Sequence, residues 1–172
     1  MFDWSILTTE DSKRAKGILS GFRDPDFVIA PEDTPYLYRW YVTPKSDAGN
    51  VYFHIQVDSD PQRPLHDHPW DNTSLILSGG YRELYADVPL HMAHSIRTRY
   101  LLKGQMVFRA AREAHRLELP RHIPYTMTLF TTGPKIRTWG FWPDGKFVPY
   151  TKFVEMSADG SMSVTQEKYR HG

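Results

Sequence analysis

The chain is predicted to be all-β with a short helical extension at its N-terminus, on three observations. From Tyr36 to Trp142 the sequence breaks into short runs rich in β-branched and aromatic residues, close to the spacing of roughly 8–12 residues typical of a sandwich or barrel. Its 13 prolines fall mainly between those runs, where a missing N–H does no harm to a sheet ladder. Helical periodicity stands out before residue 21, ahead of the β-rich runs.

The elements follow in order. Thr8 with Asp11 three residues on resembles a capping pair, and Ala15, Ile18, Leu19 and Phe22 recur at helical spacing, which predicts a helix at about 9–20 ended by Gly21. "RDPD" and "APEDTP" are turn-rich. Strands are then expected over 36–42, 51–57, 73–78, 80–86, 94–102, 104–110, 114–119, 125–132 and 135–142, with "SGG" and "TTGP" as hairpin connections. In the tail, Asp159-Gly160 is a turn signal between two weakly alternating stretches, so residues 143–172 read as a C-terminal extension or hairpin. No linker or repeat interrupts the chain, so one domain is expected over 1–172, with its core at about 36–142 and residues 1–35 as an N-terminal extension.

Composition narrows the function classes. Lysine and arginine total 21 against 20 acidic residues, a net charge of +1, so nothing in bulk electrostatics favours a nucleic-acid or membrane-surface partner. Charge is uneven, however: Arg97, Arg99, Lys103, Arg109, Arg112, Arg116 and Arg121 crowd a stretch that holds only Glu113 and Glu118, a candidate anion-binding face. Cysteine is absent, which excludes disulfides, thiolate metal sites and cysteine nucleophiles. With no long apolar run or leader-like start, the expectation is a cytoplasmic protein.

"PLHDHPWDN" carries the strongest chemical signal. In an extended strand residues i and i+2 point to one side, so His66 and His68 can present two imidazoles to a single ion while Asp67 faces away. The same parity turns Asn72, Ser74 and Ile76 inward. The competing reading is a polar turn, and a third ligand from another strand decides between them. His115 in "REAHRLEL" is the leading candidate and His54 in "VYFHIQV" the runner-up.

Two spaced motifs resemble the cupins, small double-stranded β-helix proteins. The first, G-x5-H-x-H-x3/4-E-x6-G, is matched by His66, His68, Asn72 and Gly79, with Asn72 where the family usually has glutamate and Asp60 where it has glycine. In the second, G-x5-P-x-G-x2-H-x3-N, Gly104 and His115 match, while Ala110, Arg112 and Leu119 replace the other positions.

The resemblance implies a cupin jelly-roll barrel with His66, His68 and His115 as three metal ligands. Asp71 or Asn72 would be a fourth ligand or a group supporting the ligands. A divalent ion is implied, Fe(II) first, with Zn, Ni, Mn or Cu as alternatives. The ligand set looks like that of thiol dioxygenases and related three-histidine oxygenases. The reading is therefore a mononuclear Fe(II) dioxygenase acting on a small polar or anionic substrate, with Arg39, Tyr52 and His54 as substrate-binding residues. Two alternatives stand beside it: a sugar or small-molecule isomerase or epimerase, with metal absent or structural, and a non-enzymatic small-molecule-binding cupin. Resembling proteins often pair through strand edges, which implies a homodimer.

Overall fold

The computed structural model describes residues 1–31, 34–61, 63–87, 96–156 and 161–164. Helix α1 (Thr9–Leu19) begins where the capping pair predicts: the Thr8 hydroxyl accepts the Asp11 N–H at 3.2 Å, and Glu10 and Asp11 occupy the first turn, where the helix dipole favours carboxylates. Its left-handed cap is Ser20 (φ 56°) rather than the expected Gly21, whose N–H instead reaches back to the Lys16 carbonyl at 2.9 Å.

Eight strands make the principal sheet. In chain order they are β1 (Phe27–Pro31), β2 (Leu37–Tyr41), β3 (Asn50–Gln56), β4 (Asn72–Ser78), β7 (Met106–Arg109), β9 (Thr126–Thr132), β12 (Val154–Met156) and β13 (Ser161–Val164). Their spatial order is β12-β13-β1-β2-β3-β9-β4-β7. A second sheet, ordered β6-β5-β8, uses β5 (Gly80–Asp87), β6 (Arg97–Leu102) and β8 (Glu113–Glu118). A short pair, β10 (Gly140–Phe141) and β11 (Val148–Pro149), leads into the single-turn helix α2 (Tyr150–Phe153). Every strand pair is antiparallel except β1 with β13. This is the antiparallel architecture of a jelly roll, as expected, with an N-terminal helix packed on it. Among the described residues no helix is long and apolar enough to cross a membrane.

The chain passes from the first sheet to the second at Gly79 (φ +71°), where an added Cβ would lie 2.3 Å from the Tyr125 carbonyl oxygen; the change of sheet therefore requires glycine. Alternation gives the principal sheet two different faces. Trp40, Phe53, Ile55 and Met127 point one way, against Phe2, Leu7, Ala15 and Leu19. Trp40 is fully buried among Phe2, Trp4 and Phe53, and its indole N–H donates to the Arg23 carbonyl. Arg39, His54, Gln56, Thr128 and Phe130 point the other way and line a cavity that also borders Tyr81, His115 and Leu117 of the second sheet.

Two expectations need correction. Strand β1 lies in a stretch read as an extension of turns. Its partners explain this, because it pairs with β2 and, through Ala30 and Pro31, with β13 from the far end of the chain. The strand expected over 135–142 shrinks to Gly140–Phe141. The segment before it is held instead by the Ile136 and Arg137 N–H groups donating to the Pro69 carbonyl. In the tail, β12 and β13 pair as the two arms of a hairpin, while the Asp159-Gly160 turn lies outside the described residues.

Candidate metal centre

The centre begins as a backbone ladder. His66 and His115 exchange both hydrogen bonds, N–H to carbonyl at 3.0 and 2.8 Å, so the segment carrying "HDH" is stitched to β8 outside any long strand. Paired residues in register share a face, and His68 joins them by the two-residue period. One ligand-capable nitrogen from each of His66, His68 and His115 lies within 4.8 Å of the others. The Nε2 atoms of His68 and His115 are 2.8 Å apart. His115 is buried, and Trp70 stacks on the His68 ring at 4.8 Å.

Protonation suits metal binding. Burial, reinforced by the charge of neighbouring His115, holds His66 and His68 well below the ordinary imidazole range, so both are neutral at neutral pH. The Glu83 carboxylate lies 2.5 Å from His115 Nδ1. As a carboxylate only accepts, a proton is held on Nδ1 there, and Nε2 is the ring nitrogen turned toward His68. Burial opposes ionisation of Glu83, but the hydrogen bond and charge of His115, with those of Arg109, outweigh it and hold the carboxyl below its usual range.

Glu83 also accepts from Arg109 Nε at 2.6 Å and Arg99 Nε at 2.7 Å, and Arg109 continues to the Ser74 hydroxyl at 2.9 Å. Sequence reasoning missed Glu83. The available signal was its alternation with Tyr81 in "GYRELYA", but only pairing with β8 tells which side of that strand faces the histidines.

The other candidates are placed as follows. Arg39 and His54 line the cavity and touch, with Arg39 Nε donating to His54 Nε2 at 2.8 Å. Burial and the Arg39 charge keep His54 well below its ordinary pKa. Tyr52 is not part of the cavity wall but lies beneath Arg39, its ring centre 4.8 Å from the guanidinium. Asn72, Ser74 and Ile76 are all buried. Neither Asp71 nor Asn72 borders the cavity: Asp71 accepts the Ala111 N–H at 2.7 Å, and the Asn72 oxygen faces Arg109 at 3.4 Å.

Asp67 does turn away from the histidine side, into a fully buried niche where it accepts from the Gly140 N–H and the Trp142 indole and pairs with Arg137. Trp139 and Phe141 line the cavity. Much of the expected anion-binding face is paired internally: Arg97, Arg99, Arg109 and Arg116 are paired with Asp87, Glu83 with Glu113, Glu83 and Glu118 respectively, while Arg112 and Arg121 are exposed. Lys103 faces Glu10. His122 is exposed, and His91, His94 and His171 lie outside the described residues.

The cavity in front of the histidines has a volume of about 290 Å³. Its walls are aromatic at Trp70, Phe130, Trp139 and Phe141 and polar at Arg39, His54, Gln56 and Asp60. Antiparallel sheets surround an inward-facing three-histidine cluster, an arrangement consistent with a jelly-roll barrel. No protein-family model matches the chain, and no curated protein does. Solved structures are similar at low identity. Fe(II) HppE matches at 10% identity and TM-score 0.47, covering 57% of this chain and 51% of that one. A hydroxypropylphosphonic acid epoxidase from S. wedmorenis in complex with fosfomycin gives 11% and 0.44, covering 57% and 51%. A cupin superfamily protein from Desulfitobacterium hafniense gives 13% and 0.42, covering 57% and 77%. The matched part thus spans about half the length of the HppE and epoxidase chains.

Proposed function

We propose that the protein is a mononuclear Fe(II) dioxygenase acting on a small polar or anionic substrate. The observation that carries this reading is the convergence of three imidazole nitrogens within 4.8 Å at the wall of a cavity. The donor set fits a divalent transition metal: His66 and His68 are neutral, and the His115 tautomer is fixed by Glu83. When bound, Fe(II) supplies a redox-active centre with about three positions not taken by protein.

The chain's own residues do the rest. Glu83 keeps the proton on His115 Nδ1 and fixes the ring plane. Trp70, Phe130, Trp139 and Phe141 keep water from the cavity, and Arg39 presents a positive charge to an anionic substrate. His54 supports this reading over isomerase chemistry. A histidine acting as base needs a free ring nitrogen, and the Nε2 of His54 is committed to Arg39.

Metal analysis of protein purified without chelator tests the proposal. The wild type is expected to carry close to one equivalent of metal, and His66→Ala and His115→Ala to carry far less. Equal, substoichiometric metal in all three overturns it. Substrate-dependent oxygen uptake that requires added Fe(II) is the corresponding activity.

A further inference from the structure

Among the described residues, two opposite charges in the cavity have no ion-pair partner. Arg39 uses its Nε to reach His54 and lays its guanidinium over the Tyr52 ring, and no carboxylate among the described residues lies within ion-pair distance of it. Arg39 itself lines the cavity, and a guanidinium is a fork shaped for a carboxylate. Asp60 borders the same cavity. One of its oxygens accepts the Leu117 N–H at 2.7 Å, and no cation among the described residues pairs with it.

The other arginines on this wall are engaged: Arg109 by Glu83, Arg116 by Glu118, and Arg63 in interactions of its own. Burial raises the Asp60 carboxyl above its ordinary range, and the Leu117 N–H and the charges of His115 and Arg116 only partly offset it. Tyr36 stands on the same wall, its hydroxyl kept protonated by burial and by the neighbouring Asp60 charge.

Charges drawn partly out of water cost free energy unless something pairs with them. Arg39 and Asp60 do not pair with each other, so a molecule carrying both charges compensates both at once. We infer that the cavity binds a zwitterion of the amino-acid class, with its carboxylate on Arg39 and its ammonium on Asp60. This rests on the reading of the cavity as the substrate site and narrows that reading to a substrate class. The aromatic walls at Trp70, Phe130 and Phe141 suit an apolar side chain projecting from the charged end.

The test is calorimetric titration of the protein with the twenty common α-amino acids, each beside its desamino carboxylate and its decarboxylated amine. At least one zwitterion is expected to bind about tenfold or more tighter than both of its singly charged analogues. Arg39→Gln is expected to erase the advantage over the amine. Asp60→Asn, which can still accept the Leu117 N–H, is expected to erase the advantage over the carboxylate, and both variants should keep wild-type metal content. If no zwitterion outbinds its analogues, or if the preference survives both substitutions, the inference falls. A zwitterion preference in a protein that holds no metal would leave this inference standing and sink the dioxygenase reading. Metal without the preference does the reverse.

Discussion

The two faces of the principal sheet are built from the same strands and obey opposite chemistry. On β3, Phe53 and Ile55 enter a dry aromatic core beneath α1, while His54 and Gln56, one residue out of phase, enter the cavity. On β2, Trp40 and Arg39 divide in the same way. The helix side is held by apolar area and edge-to-face ring contacts, which tolerate small shifts. The cavity side, continued into β5 and β8, is held by directional bonds around Glu83, where losing one partner strands the others. Both faces contribute stability, one through apolar packing and the other through directional bonds that also set ligand geometry, with one backbone between them.

Substitutions on the two faces sharpen that contrast. Glu83→Ala removes the carboxylate from a buried guanidinium and from His115, and is expected to cost about 3–5 kcal/mol in urea unfolding. The milder Glu83→Gln should weaken metal binding roughly 10–100-fold in chelator competition. Unchanged affinity in Glu83→Gln would mean that the carboxylate does not orient His115. On the other face, Trp40→Ala is expected to cost a similar ~3–5 kcal/mol yet leave metal stoichiometry intact. If Trp40→Ala loses metal as readily as the glutamate variants, the faces are not separable.

Acid should act on the cavity face first. The folded-state pKa values of His54, His66 and His68 lie below the unfolded value of about 6.5, so the unfolded chain takes up protons that the folded chain refuses. In chelator-treated protein, stability is therefore expected to be full above about pH 6.5 and to fall as pH drops below it. The depressed carboxyl of Glu83 adds a further loss below the ordinary carboxylate range of about 4.3. Urea midpoints measured from pH 8 to pH 4 check this, and a His54→Gln variant should show a shallower slope. A flat profile down to pH 5 would show that these imidazoles are not buried in neutral form.

Smaller effects are expected at the edges. Thr8→Ala, which removes the cap of α1, should cost about 1 kcal/mol with no change in metal content. Arg97→Ala breaks an ion pair between exposed side chains and should cost less than about 1 kcal/mol, as measured by thermal melting.

Much of the central β-rich region could be read from alternation, because β2 to β9 carry their pattern within each segment. Strand β1 was missed although Phe27, Val28 and Ile29 favour extended backbone, because the run is short and hemmed by turn residues, and two of its five paired residues meet β13. At the site, His66 and His68 were legible from their spacing, and His115 from its distance to Gly104. Asp71 stood next to the motif and drew attention as a supporting carboxylate. The carboxylate that supports His115 is Glu83, on a strand with no histidine.

By itself the sequence determined which residues share a strand face and which histidines could meet, because a two-residue period is a local property of extended backbone. The tertiary structure decided which faces meet, including the ladder between His66 and His115, the placement of Glu83 against His115, and the presence of Arg39 and Asp60 on one cavity. Those outcomes depend on the register between distant strands, and a one-residue slip of β8 would turn His115 away from the site.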